Sequence, residues 1–134
     1  MILLKTDGST IDKVVQNAKQ ALHARPRILR GELILISQTE KTLRPGELPV
    51  RYSMEYVRYY SDTKFESVKI WGKRWQFIIE CKNCRRLRKP FRMSDVQVSG
   101  KVYAQGGTIF NVDPEDERYL REHGYLETLE EDAA

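Results

Sequence analysis

Apolar side chains open the chain at Ile2-Leu3-Leu4 and give way to Lys5-Thr6-Asp7-Gly8, the pattern of a short buried strand running into a turn. Ser9 or Thr10 stands where a helix cap is wanted. Ile11, Val14, Val15, Ala18, Ala21 and Leu22 then recur at helical spacing until Arg25-Pro26, which predicts a helix over about residues 10–23. Gly31 introduces Glu32-Leu33-Ile34-Leu35-Ile36-Ser37, a continuous apolar run of the kind buried on both faces or set in a barrel wall. After the turn residues Leu43-Arg44-Pro45-Gly46-Glu47, the stretch Val50 to Tyr60 is rich in tyrosine and long apolar side chains. It reads as a long strand that pairs with the preceding run as a long-looped hairpin.

Residues 61–70 are mixed and polar, with Ser61-Asp62-Thr63 as a turn. Trp71-Gly72-Lys73-Arg74 reads as a loop opening a strand over Trp75–Cys84, and Pro90 is expected to end the strand region. Met93 to Val98 fits one helical turn or a short extended piece equally well. Lys101-Val102-Tyr103-Ala104 predicts a last strand before Gln105-Gly106-Gly107, whose glycines permit positive φ. Asp113-Pro114-Glu115-Asp116 starts a helix, with Asp113 as N-cap, Pro114 at the first helical position and acids where the helix dipole favours them. That helix should run to about Glu122-His123 and stop at Gly124. The order β-α-β-β-β-(β)-α predicts an α+β fold, a small mixed β-barrel flanked by helices.

At 134 residues the chain fits one domain with a real core, read as residues 1–126, with residues 127–134 an acidic tail or the start of a linker. Its 31% charged and 40% hydrophobic content is globular, and no apolar run approaches a bilayer span. The opening Met-Ile-Leu-Leu lacks the charged leader and apolar region of a signal peptide, so a cytoplasmic protein with no membrane partner is expected. The net charge of +4 conceals an uneven spread: residues 113–134 carry −7, which leaves +11 on residues 1–112. Such a body suits a polyanion, with the acidic end pointing away from the ligand; a solubilising helix end is the plainer explanation of the acids. Cys81-Lys82-Asn83-Cys84 is the single cysteine pair, and no second pair or suitably spaced histidine completes a metal site, so one thiol is read as buried and the other as near the surface.

Between Trp71 and Arg92 the chain sets two tryptophans and eight cations, Lys73, Arg74, Lys82, Arg85, Arg86, Arg88, Lys89 and Arg92, against the single acid Glu80. Lys and Arg neutralise phosphates and tryptophan offers a flat face for an unstacked base. Taken singly, the cations fit a solvated face and the tryptophans fit a core; together they read as a nucleic-acid surface.

These pieces resemble the PUA-like superfamily, particularly its EVE and YTH branch. The resemblance rests on Ile2 to Gly8 before a helix, Gly31 to Ile36 before a long strand, Trp71 to Glu80 running on to Arg85-Arg86 and Pro90-Phe91, and Gly106-Gly107-Thr108-Ile109-Phe110 leading into Asp113-Pro114-Glu115-Asp116. It implies a reader of modified bases, as in the N-terminal specificity domain of McrB-type modification-dependent restriction systems, with a modified cytosine or N6-methyladenine held in an aromatic cage. By position, Trp71 matches the cage aromatic, and Lys5, Thr6 and Asp7 match the turn that touches the base edge. A YTH domain carries another cage tryptophan after its first helix, where this chain has Leu22-His23-Ala24. The cage is expected either to be incomplete or to recruit Tyr59, Tyr60 or Tyr103, with His23 counted in the pocket, while Trp75, at the start of a strand, is read as core before cage.

The implied mechanism is base capture from DNA, with Arg85 to Arg92 gripping phosphates and a motor domain linked after the acidic end. An RNA reader is the alternative, and a docking surface for an acidic protein is a further one. No Gly-rich phosphate loop, catalytic triad or metal cluster is legible, so a binding module without cofactor, rather than an enzyme, is expected.

Overall fold

The computed structural model describes residues 1–103 and 108–129. Ala104, Gln105, Gly106 and Gly107, and with them the end of the strand expected at Lys101–Ala104, lie outside the described residues, as do residues 130–134.

Six strands, β1 (Ile2–Thr6), β2 (Lys19–Leu22), β3 (Leu33–Gln38), β4 (Val50–Ser61), β5 (Phe77–Phe91) and β6 (Ile109–Asn111), form one mixed sheet in the order β2-β5-β4-β3-β1-β6. β1 and β3 run parallel, and every other neighbouring pair is antiparallel. Four short helices accompany it: α1 (Ile11–Asn17), α2 (Glu66–Trp71), α3 (Met93–Val96) and α4 (Pro114–Glu122). The expected mixed α+β barrel is met as a curled half-barrel.

The unbroken apolar runs of β1 and β3 follow from burial on both faces. Ile2, Leu4, Ile34 and Ile36 pack with Met54, Ile79 and the α1 residues Ile11 and Val14, whereas Leu3 and Leu35 face Leu87, Phe91, Val96 and Leu120. Each such side chain contributes about 1.5–3 kcal/mol by leaving water.

Several expectations are corrected. The helix read over residues 10–23 ends at Asn17, because Ala18 turns left-handed (φ 52°) and its N–H donates to the Val14 carbonyl. Residues 19–22 become β2, since Ala21 and Leu22 fit helical spacing and strand pairing equally and the partner strand β5 decides. Residues 61–70, read as mixed and polar with a turn at Ser61-Asp62-Thr63, hold most of α2. Asp62 accepts hydrogen bonds from the Glu66 and Ser67 amides and so caps it, and Trp71 is its last residue rather than part of a loop. β5 begins at Phe77 and continues through Pro90. Val50 pairs with Phe91 but Tyr52 with Arg86, so Leu87 to Pro90 bulge opposite Arg51 and the missing proline N–H is not required there. Lys101–Tyr103 is not a strand; β6 is the last one among the described residues, paired with β1. The helix read from Asp113 and Pro114 is found as expected, with Asp113 accepting from the Glu115 amide.

Candidate nucleic-acid interface

β2 and the β1–β6 pair stand at opposite ends of the strand order, yet residues from both line one cleft of about 920 Å³. The sheet therefore curls until its two edges approach and leaves the cleft between them.

One wall is the turn after β1, where Lys5, Thr6 and Asp7 lead to Thr10 at the start of α1. This turn is fixed by Asp7, whose Oδ1 accepts from the Ser9 and Thr10 amides (3.0 and 3.1 Å) and from the Ser9 and Thr10 hydroxyls (2.6 and 3.1 Å). Hydrogen bonding from the Ser9 hydroxyl is the chief reason the Asp7 carboxyl stays ionised below the usual range. Oδ1 is filled, so Oδ2 is the atom left for a ligand. Gly8 is required here, since a Cβ on it would stand 2.7 Å from Gln38 Nε2 and 3.1 Å from the Thr42 carbonyl oxygen. Burial lowers the Lys5 pKa, against the opposing pull of Glu40.

The facing wall comes from α2 and the connection to β5. Trp71 closes α2, and Gly72, at φ 74°, turns the chain out of it. Trp75 stacks on His23 with ring centroids 4.0 Å apart and planes 26° from parallel, and Lys73 Nζ lies 5.0 Å from the Trp75 ring centroid. The Trp75 backbone N–H donates to Ser67 Oγ at 3.0 Å, and that hydroxyl donates to Asp62. Burial works against ionisation of Asp62, but the donors from Ser67 and Glu66 hold its carboxyl below the usual range. Trp71 Nε1 is buried with no acceptor among the described residues.

Between the walls lie Gln20 to Leu22 of β2, followed by His23 and the loop bearing Arg25 and Arg27, with Thr39, Thr108 and Ile109 at the rim. Lys5, Arg25, Arg27 and Lys73 thus surround a cleft whose one lining acid among the described residues is Asp7. None of the four forms an ion pair among the described residues.

The structure places Lys5, Thr6, Asp7, His23, Trp71 and Trp75 on the cleft and leaves the tyrosines off it. Tyr60 donates to Glu66 Oε1 at 2.6 Å, Tyr59 meets the edge of Phe77, and Tyr103 is buried with its hydroxyl donating to Asp116. Trp75 belongs to neither core cluster, which corrects the core reading. Its backbone is anchored through Ser67, so a residue at the mouth of a strand need not pack inward.

The eight cations are divided. Lys73 lines the cleft, whereas Arg74 donates to the Asp62 carbonyl and lies over Phe65. Lys82, Arg85 and Arg86 form no ion pair among the described residues. Farther along β5, Arg88 pairs with Glu127 at 3.9 Å, Lys89 donates to the His123 carbonyl, and Arg92 grips Glu40 at 2.6 Å. Residues 127–129 therefore lie against this half of β5, with Leu129 N–H donating to the Arg86 carbonyl and Thr128 bridged to Leu87.

Gln20, Thr10, Arg25, Arg27, Thr39 and Thr108 are cleft residues that sequence reasoning missed. A signal existed for two of them: residues 13–31 carry Lys13, Lys19, Arg25, Arg27 and Arg30 and no acid.

Among the described residues no group of three or more His, Cys, Asp or Glu is placed to hold a metal ion, and no helix is long and apolar enough to cross a membrane. No family model matches the sequence, and no curated protein matches it. Among solved structures, the chain is similar to an ASCH protein from Zymomonas mobilis, with a TM-score of 0.63 and 10% identity over 90% of this chain and 93% of that one. A tyrosine-to-phenylalanine mutant of that protein gives 0.64 and 8% identity over 90% and 96%. At such identities the likeness is one of fold, and the fold is the PUA-like one of ASCH domains. The PUA-like expectation is met as a fold, and both of these neighbours are ASCH proteins, not EVE or YTH domains.

Proposed function

We propose that this chain is a nucleic-acid-binding module that takes one unstacked base into the cleft. The supporting observation is the coincidence of aromatic faces, Trp71 and the Trp75–His23 stack, with four cations that have no carboxylate partner among the described residues. The cleft is of the size that encloses small ligands, about 300–1,000 Å³. The aromatics supply stacking, Lys5, Arg25, Arg27 and Lys73 meet flanking phosphates, and Asp7 Oδ2 accepts from an exocyclic amine.

The finer reading is a modified base in DNA, a modified cytosine or N6-methyladenine, flipped at a cost of a few kcal/mol and recovered on the aromatics. In that reading the domain supplies specificity to a restriction system and is joined to a motor. A methyl group adds roughly 1 kcal/mol of apolar burial, so pocket shape and hydrogen bonding supply the rest of the discrimination. The cleft opens at the surface between two sheet edges, which favours single-stranded RNA as the second reading because no flipping is needed.

Fluorescence-anisotropy titrations with matched DNA and RNA oligonucleotides, unmodified, 5-methylcytosine or N6-methyladenine, test this. A preference for one probe that disappears in Trp71→Ala names the ligand. Equal binding of all probes, unmoved by the substitution, reduces the protein to a nonspecific polycation.

A further inference from the structure

Apolar side chains continue out of the cleft along α2. Trp71, which lines the cleft, ends this helix, Val68 lies one turn back on the same side, and Phe65 is the N-cap. Val68 is 42% exposed and Phe65 55%, and Phe65 belongs to neither core cluster. Phe65 also holds a left-handed backbone, φ 57°, which is disfavoured for a bulky side chain and persists only where its surroundings impose it. Asp62 imposes it here by accepting from the Glu66 and Ser67 amides just beyond.

The exposed ring is nevertheless held in place. Arg74 Cζ lies 4.0 Å from its centroid, and the guanidinium is itself fixed by donating to the Asp62 carbonyl at 3.0 Å. Arg74 stands in the chain between Lys73 and Trp75, so the same short connection that backs Trp75 with Lys73 in the cleft backs Phe65 with Arg74 outside it. Around Phe65 and Val68, the exposed cations Lys64, Lys69 and Arg74 form no ion pair among the described residues. An aromatic face next to unpaired cations repeats, beside the cleft, the chemistry found within it.

Resting on the base-capture reading above, we propose that Phe65, backed by Arg74, is a second stacking platform that holds the base next to the captured one, with Lys64 and Lys69 meeting its phosphates. The ligand this fits is a single strand, because in a duplex the neighbouring base stays paired and stacked. Every base has a π-face, so the platform adds affinity and sets a minimum ligand length without reading sequence.

The test uses short single strands of abasic sugar-phosphates with one central base, cytosine, 5-methylcytosine, adenine or N6-methyladenine, beside an all-abasic control. A second set adds one uracil on the 5′ or the 3′ side of the central base. A third replaces that uracil by 5,6-dihydrouracil, which keeps its hydrogen-bonding groups and loses its flat π-face. Wild type is expected to gain roughly fivefold or more from the flanking uracil on one side, the lower end of one base–aromatic stack, and less than about twofold from dihydrouracil. In Phe65→Asn, a residue that tolerates φ 57°, the uracil gain should also fall below about twofold while one-base probes bind as in wild type. A flanking uracil that adds nothing to wild type, an equal gain from dihydrouracil, or a gain kept in Phe65→Asn overturns the platform; if one-base probes still outbind the control, base capture stands. One-base probes that bind no better than the control overturn both. The dihydrouracil comparison uses wild type alone, so it decides the matter even where the variant fails to fold.

Discussion

Trp75 shows how a residue at a strand's mouth becomes a surface for a ligand. Its ring stacks on His23 under Lys73, its backbone amide is held by Ser67, and it belongs to neither core cluster. Trp75→Ala should therefore weaken oligonucleotide binding by roughly tenfold or more, the range of one base–aromatic stack, with thermal stability lowered by no more than about 1 kcal/mol. Anisotropy and a melting curve on the same sample separate the two effects. Asp116 makes the opposite case: it is fully buried and accepts from the Val98 and Ser99 amides and the Ser99 and Tyr103 hydroxyls. Burial opposes its charge, yet these donors hold its pKa below the usual value, while burial and Asp116 push the Tyr103 hydroxyl up to about 12. A depressed carboxylate stabilises the fold above its unfolded pKa and ceases to do so as pH falls through the folded one. The melting temperature of wild type should thus drop below about pH 4, and that of Asp116→Asn, lower at neutral pH, should change less over the same interval. At this scale the sequence was legible where chemistry is rare, as at Trp71 and Lys5-Thr6-Asp7. It was opaque at Gln20, which is polar within a run of apparently helical spacing.

Elements were legible where their ends carry local signals. α4 begins and ends where Asp113, Pro114 and Gly124 place it, because cap and stop act within a turn. β2 was hidden because its four residues owe their conformation to β5, distant in sequence, and α2 because its cap, Asp62, precedes a helix of only six residues. α2 also carries a consequence for the cleft: Asp62 holds its start, Ser67 ties it to Trp75, and Trp71 ends it. Ser67→Ala should cost about 1–3 kcal/mol of stability, since the Trp75 amide loses its acceptor and Asp62 a donor. The near-ultraviolet circular dichroism of the His23–Trp75 stack should change with it. An unaltered aromatic spectrum would show that Ser67 does not position Trp75.

On the scale of the whole molecule, the mixed α+β architecture followed from the order of apolar runs, whereas the division of the cations did not. Charge along the sequence says nothing of which carboxylate lies across the fold, and Glu40 and Glu127 are far in sequence from Arg92 and Arg88. Binding measured against salt separates the two groups. Neutralising Arg25 and Arg27 together should reduce the slope of log K against log salt by about 1.4 for a single strand, about 0.7 for each phosphate left without its cation. Neutralising Arg88, Lys89 and Arg92 should leave that slope unchanged and lower the melting temperature instead. The reverse pattern would move the phosphate track from the cleft to β5.

The sheet's incomplete closure also has a mechanical side. β2 is joined to the rest of the sheet through β5 alone, while β1 and β6 form the opposite lip. A ligand seated between them acts as a buckle on an open band, fastening two edges that the backbone leaves unjoined. Occupancy should be felt as stiffness: amide hydrogen exchange in residues 19–22 and 109–111 should slow together when the cleft is filled, while exchange across the β3–β4 ladder stays as it was.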